Sequence, residues 1–245
     1  MSFPATSRIE TAPSPKAVLW RRDRMFYTGF ALGAIAVVFA AFGRTYYLKS
    51  YTGAPPLPSL VHLHAAVFSV WMGLFAVQTW LVMSKQVAVH RRLGVVGGFF
   101  AIALVVLGYV IAILGAQTGW TGPGNPRDAS EAIRFLVVPL SDLVVFVGLF
   151  GLALWFRRRP ETHKRLVLLA MTGGILPAAF GRLGLLGIPV GLSFLFAGPL
   201  YDRIARGRID RAYIWGIASI AISFPLRTLL ARTETWQDFA DWMIQ

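Results

Sequence analysis

His62-Leu63-His64 opens a stretch in which histidine, aromatic and amide side chains recur at helical intervals: His64, Phe68, Trp71, Phe75 and Gln78. At 100° per residue these five fall within about 40° of one line along a helix. A face of that kind supports three kinds of chemistry for His64: axial ligation of haem iron, ligation of a bare metal, or a hydrogen bond to a quinone. The plain alternative is a histidine bonded to a neighbouring helix, holding a bundle together as buried polar residues do. His62 points away from His64 on a regular helix, so the pair is a weak metal motif. For Trp71 and Gln78, packing is the better account.

Asp142 is the second chemical candidate. It lies in the middle of an apolar stretch, where an unpaired carboxylate would cost several kcal/mol, so it is expected to be protonated or paired. His64, Arg134 and Arg182 are its candidate partners, and a proton relay or a ligand site is its candidate use. Ser219, Ser223 and Arg227 recur at i, i+4 and i+8 as a polar stripe. Arg44, Arg182 and Arg227 all fall near the same ends of their apolar segments. Singly they read as arginines reaching for headgroups; together they suggest a site for haem propionates, a lipid phosphate or a carboxylate. His90 and His163 form a further candidate haem pair, each beside basic residues able to meet propionates, although both read as loop or loop-edge positions.

These residues must be positioned by membrane helices. Of the 245 residues, 56% are hydrophobic and only 14% charged, against about 25% charged in soluble domains. Seven apolar segments follow one another: Met25–Leu48, Ser59–Met83, Gly94–Ala116, Ala132–Phe156, Leu166–Leu183, Pro189–Ile204 and Ala212–Leu230. Five have the roughly 20 residues that a hydrocarbon core requires. The fifth and sixth are short; they read as two tilted spans, with a re-entrant pair as the alternative. The expected fold is an all-α polytopic membrane bundle of about seven transmembrane helices. A flexible tail over 1–24 precedes it; that tail lacks the apolar core of a signal peptide. A short amphipathic helix over 233–245, bearing Trp236, Phe239, Ala240 and Met243, follows it as an interfacial anchor. Pro177 and Pro225, with Gly173-Gly174 nearby, predict kinks in the fifth and seventh helices.

Basic residues predict the orientation. If the tail is cytoplasmic, 17 of the 24 Lys and Arg lie in the cytoplasmic segments and 7 on the other side. That puts the amino terminus inside and the Gln117–Ser130 loop, with Trp120, in the periplasm. The same distribution explains the net charge of +13 by loops beside anionic lipid, and excludes a nucleic-acid partner. The absence of cysteine excludes disulfides, iron–sulfur clusters, thiolate haem, c-type haem and cysteine zinc sites. No Walker loop, nucleophile elbow or dinucleotide fingerprint occurs. The shared H-[KR]-R-L of His90–Leu93 and His163–Leu166 suggests a duplicated hairpin, second and third helices on fourth and fifth, with Phe68 matched to Phe146.

Several motifs together carry a family likeness: His62-Leu63-His64-Ala65 with Trp71 and Gln78, His90-Arg91-Arg92-Leu93-Gly94, Thr162-His163-Lys164-Arg165-Leu166, Arg206-Gly207-Arg208 with Tyr213, and Pro225-Leu226-Arg227. Over most of its length after residue 25 the chain resembles an uncharacterised group of bacterial multi-pass inner-membrane proteins. That group often carries histidine where this chain has Asp210, which argues against Asp210 as a ligand. The resemblance implies topology and assigns no activity. The functional expectation is therefore an inner-membrane binding or accessory subunit, partnered by the bilayer and other membrane subunits. Its cavity would face the periplasm, lined by His64, Asp142, Arg182, Ser223 and Arg227. A haem b- or quinone-binding redox protein and a small-molecule transporter are the alternatives.

Overall fold

The computed structural model describes residues 14–119 and 128–245. The expectations for residues 1–13 and for Trp120 fall outside the described residues. All regular structure among the described residues is helical: α1 Pro15–Phe42, α2 Lys49–Thr52, α3 Ser59–Met83, α4 Val87–Thr118, α5 Ala129–Trp155, α6 Pro160–Ala170, α7 Pro177–Arg182, α8 Gly187–Arg206, α9 Arg211–Leu230 and α10 Glu234–Ile244. Among the described residues six helical segments are long and apolar enough to cross a membrane, those of α1, α3, α4, α5, α8 and α9. The α4 helix has 32 residues, about 48 Å at 1.5 Å per residue, so it exceeds a core of about 30 Å.

The burial pattern is that of a membrane bundle. Large apolar side chains such as Leu32, Phe99, Val144, Ile204 and Ile222 are exposed on the outside. The interior holds alanines, glycines and aromatic contacts together with, among the described residues, five buried polar or charged ones. Trp71 of α3 packs edge-on against Phe146 and Phe150 of α5, and its Nε1–H points at Met171 Sδ at 3.4 Å. Trp71 is thus a packing residue at the meeting of three elements.

Helix α1 begins at Pro15, ten residues before the expected start. Ser14 caps it through its hydroxyl, and proline is favoured at the first helical position. Residues 15–24 are helix, not tail. Similarly, α4 begins at Val87 and α6 at Pro160, so His90 and His163 sit in first helical turns rather than in loops. Asp128 caps α5; hydrogen bonds from the Glu131 N–H and the Ser130 hydroxyl hold its carboxyl below the ordinary range.

The fifth apolar segment is broken. After α6 the chain takes a π turn over Met171–Ile175, with Leu176 N–H bonding Met171 O at 2.9 Å, before α7 starts at Pro177. Proline has no N–H for the carbonyl four residues back, and its ring needs room there; the wider turn supplies it. Pro225 breaks nothing: α9 runs through it. The rod from Pro160 to Arg182 is the most enclosed part of the bundle, with α1, α5, α8 and α9 packed around it. Gly174 makes this possible. A Cβ there would lie 2.5 Å from Phe146 Cβ and 2.7 Å from the Phe146 backbone, so α5 approaches at a distance only glycine permits.

The carboxyl-terminal helix α10 matches its expected range. Trp236 and Ala240 are buried against Ala116, Leu136 and Val137, and Trp236 Nε1–H donates to Ile133 O at 3.3 Å. Phe239 and Trp242 stack on each other on the exposed side. It is docked on α4 and α5, with a second aromatic pair left outward.

Candidate functional site

The expected cavity residues separate into three places. Asp142, Ser223 and Arg227 come together: Arg227 Nη1 donates to Asp142 Oδ1 at 2.7 Å, Nη2 to Ser223 Oγ at 3.0 Å, and Nε to Ser223 O at 3.3 Å. The pair is buried and ties α9 to α5. Serine and arginine four residues apart share one helix face, so the polar stripe on α9 is a clamp for one guanidinium. Ser219, one turn earlier, is exposed and bonds only its own helix at Trp215 O. His64 meets neither Asp142 nor either arginine in a hydrogen bond or ion pair; its Nδ1 is buried without a partner and its ring lies 6.3 Å from that of Phe68.

The Asp142–Arg227 pair has a measurable consequence. In a cycle of Asp142→Leu, Arg227→Leu and the double variant, the coupling energy is expected to be about 1–3 kcal/mol, with the double variant more stable than either single. Unfolding in mixed detergent micelles measures it; additive effects would show the pair contributes nothing.

Arg182 lies elsewhere. With Arg44 it lines an open cleft of about 410 Å³ whose other walls are Ala40, Ala41, Thr45, Thr52 and Ala54. Two local features place these groups. Arg44 and Thr45 belong to a π turn, Gly43–Tyr47, that ends the α1 rod; such single wide turns are frequent at functional sites. The Thr52 hydroxyl donates to Arg44 O at 2.5 Å, fixing the short α2 against that turn. Arg182, the last residue of α7, stands 4.8 Å over the Phe42 ring. Among the described residues neither Arg44 nor Arg182 has a carboxylate partner, and no acidic residue lines the cleft. The cleft is a site with two uncompensated positive charges beside two hydroxyls, which is the chemistry of anion recognition.

Sequence reasoning missed a third polar centre, at the opposite end of the bundle. Arg165, 2% exposed, donates to Asp202, 0% exposed, through Nε to Oδ2 at 2.7 Å and Nη2 to Oδ1 at 3.0 Å. Arg165 also bonds Glu161. Arg206 bridges Asp202 and Asp23, while Lys164 bridges Asp23 and Glu161. The Tyr201 hydroxyl donates to Asp23. Three cations face three carboxylates across α1, α6 and α8, so the centre is neutral as it stands and does not attract an anion. Asp210, 4.0 Å from Arg165, caps α9 through the Ala212 N–H. The sequence offers one signal for this centre, the acids Asp23, Glu161 and Asp202 scattered among basic residues, but helix-end charges read first as solvated.

His90 and His163 are brought together, with ring centroids 6.4 Å apart. Among the described residues no group of three or more His, Asp or Glu is arranged to hold a metal. No family model matches this chain, and no curated protein or solved structure matches it.

Proposed function

We propose that this chain is an inner-membrane binding or accessory subunit that takes the anionic headgroup of an amphiphile in the Arg44–Arg182 cleft. The observation that carries the reading is that these two arginines, from distant parts of the chain, line one cleft without a carboxylate among the residues around it. Every other partly enclosed arginine centre described above is matched by carboxylates. Chain continuity supports an amphiphile rather than a free anion: the turn after Arg182 is apolar and outward, with Leu185 97% exposed and Leu186 and Ile188 also exposed. Exposed apolar side chains of that kind suit the boundary between headgroups and acyl chains, where the chain of a bound amphiphile would run past them.

The basic-residue distribution supports a cytoplasmic amino terminus, which puts the cleft at the periplasmic face. The rod from Pro160 to Arg182 then serves as a seventh crossing, its polar first turns at the cytoplasmic side. The resemblance to bacterial inner-membrane proteins supports the location, and the H-[KR]-R-L repeat at the closed ends of the α3–α4 and α5–α6 hairpins supports an origin by duplication.

Titration of the detergent-solubilised protein with phosphatidylglycerol and with phosphatidylcholine tests the reading. Phosphatidylglycerol is expected to bind about tenfold more tightly, and Arg44→Gln and Arg182→Gln each to weaken it by about tenfold, the worth of one charge-assisted hydrogen bond. Equal affinities for the two lipids, unchanged in both variants, would leave the arginines as simple headgroup anchors.

A further inference from the structure

We propose that His90 and His163 hold one copper ion between them at the basic end of the bundle, a site independent of the anion cleft. The two histidines stand in the first turns of α4 and α6. Helix α5 packs against both. Their rings are nearly perpendicular, with centroids 6.4 Å apart. Two imidazoles facing each other across an ion at the usual metal–nitrogen distance of about 2 Å put their centroids roughly 6 Å apart.

The hydrogen bonding prepares one ring for this. His163 Nδ1 lies 2.7 Å from Ala153 O. A carbonyl only accepts, so Nδ1 carries the proton and Nε2 of the neutral ring keeps its lone pair. A backbone carbonyl holding the far nitrogen is the usual support of a metal-bound histidine. Two further acceptors lie unpaired on the neighbouring helices: His90 Nδ1 and Gln78 Oε1 are both buried without a donor. The Gln78 amide packs against Gly94, one turn along α4 from His90; a Cβ on Gly94 would stand 3.5 Å from Gln78 Nε2. Buried acceptors left without donors call for a cation or a water.

The donor set selects among cations. Imidazole nitrogens suit copper, zinc and nickel, whereas magnesium and calcium require oxygen cages. Among the described residues no third histidine or carboxylate completes a tetrahedral zinc set here. Arg91 and Arg92 follow His90 in sequence and raise the cost of a dication. Singly charged copper, content with two nitrogens in line, fits both constraints.

The test is anaerobic titration of copper(I), with bicinchoninate as competing chelator, into full-length protein purified without a histidine tag. The expected result is one copper per chain, with at least tenfold weaker retention in His90→Ala and in His163→Ala and no change in His62→Ala, whose ring is exposed. Equal retention in all four proteins overturns the site, and so does the absence of retained copper in the wild type, which would leave a water between the rings. A haem absorption band in the untitrated protein, lost in both variants, would assign the pair to a porphyrin and overturn the bare-ion site. Should either variant fail to elute as folded protein, diethyl pyrocarbonate footprinting of the wild type decides: copper is expected to slow modification of His90 and His163 but not of His62, and equal slowing or none overturns the proposal.

Discussion

Arg165→Leu and Asp202→Leu, made singly, are each expected to destabilise the protein by about 3–5 kcal/mol, because each leaves one buried charge without its partner. Both side chains are almost fully enclosed, Arg165 at 2% and Asp202 at 0% exposure. Asp202 accepts from both Arg165 and Arg206, and Arg165 spends three nitrogens on Asp202 and Glu161. The double variant removes one charge of each sign. It leaves Lys164 and Arg206 facing Asp23 and Glu161, a set still in balance, and is expected to recover most of the loss. Unfolding by sodium dodecyl sulfate in mixed micelles reads all three. Single variants as stable as the wild type would mean that water reaches this centre and that it does not join α1, α6 and α8.

The second large effect is expected at Gly174. Its position against the Phe146 backbone means that even alanine must push α5 away from the central rod. Overpacking of this kind costs about 1–3 kcal/mol, occasionally more. Gly174→Ala is expected at the top of that range and Gly174→Val beyond it, since the obstructing atoms are the Phe146 Cβ and backbone, which cannot rotate aside. Gly148→Ala and Gly151→Ala on α5 are the controls. A Cβ at either meets nothing within 4 Å, so both are expected to be neutral or slightly stabilising through helix propensity. Equal stability of Gly174→Ala and the controls would contradict the close α5 contact.

The membrane helices were legible because a span advertises itself locally, by some 20 apolar residues in a row. Helix starts were less so. Ser14-Pro15 is a helix-start signal, yet a run of charge such as Arg21–Arg24 has the composition of a solvated tail. Nothing in that run sets Asp23 apart, although Lys164 and Arg206 hold it. Arg165 and Asp202 were hidden for a similar reason. A charge near a helix end looks the same in sequence whether it meets water or a carboxylate 37 residues away. Asp142 is conspicuous because only Ser141 joins it in breaking an apolar run, but its partner Arg227 lies 85 residues on, and only packing chooses it over Arg134 or Arg182. Of Arg44, Arg182 and Arg227, which the sequence groups as one anion site, the structure brings the first two to one cleft and pairs the third with Asp142. Hydropathy and helical phase place arginines at equal depth; they do not say on which side of the bundle each one stands. The π turns that carry Arg44 and precede Pro177 have no sharp sequence mark beyond glycine and proline nearby.

The central claim, that the Arg44–Arg182 cleft holds an anionic amphiphile, is tested most directly by native mass spectrometry of protein extracted from membranes. The wild type is predicted to retain one anionic amphiphile per chain after detergent exchange, and the Arg44→Gln/Arg182→Gln double variant to retain none. The same adduct at the same occupancy on both proteins would contradict it.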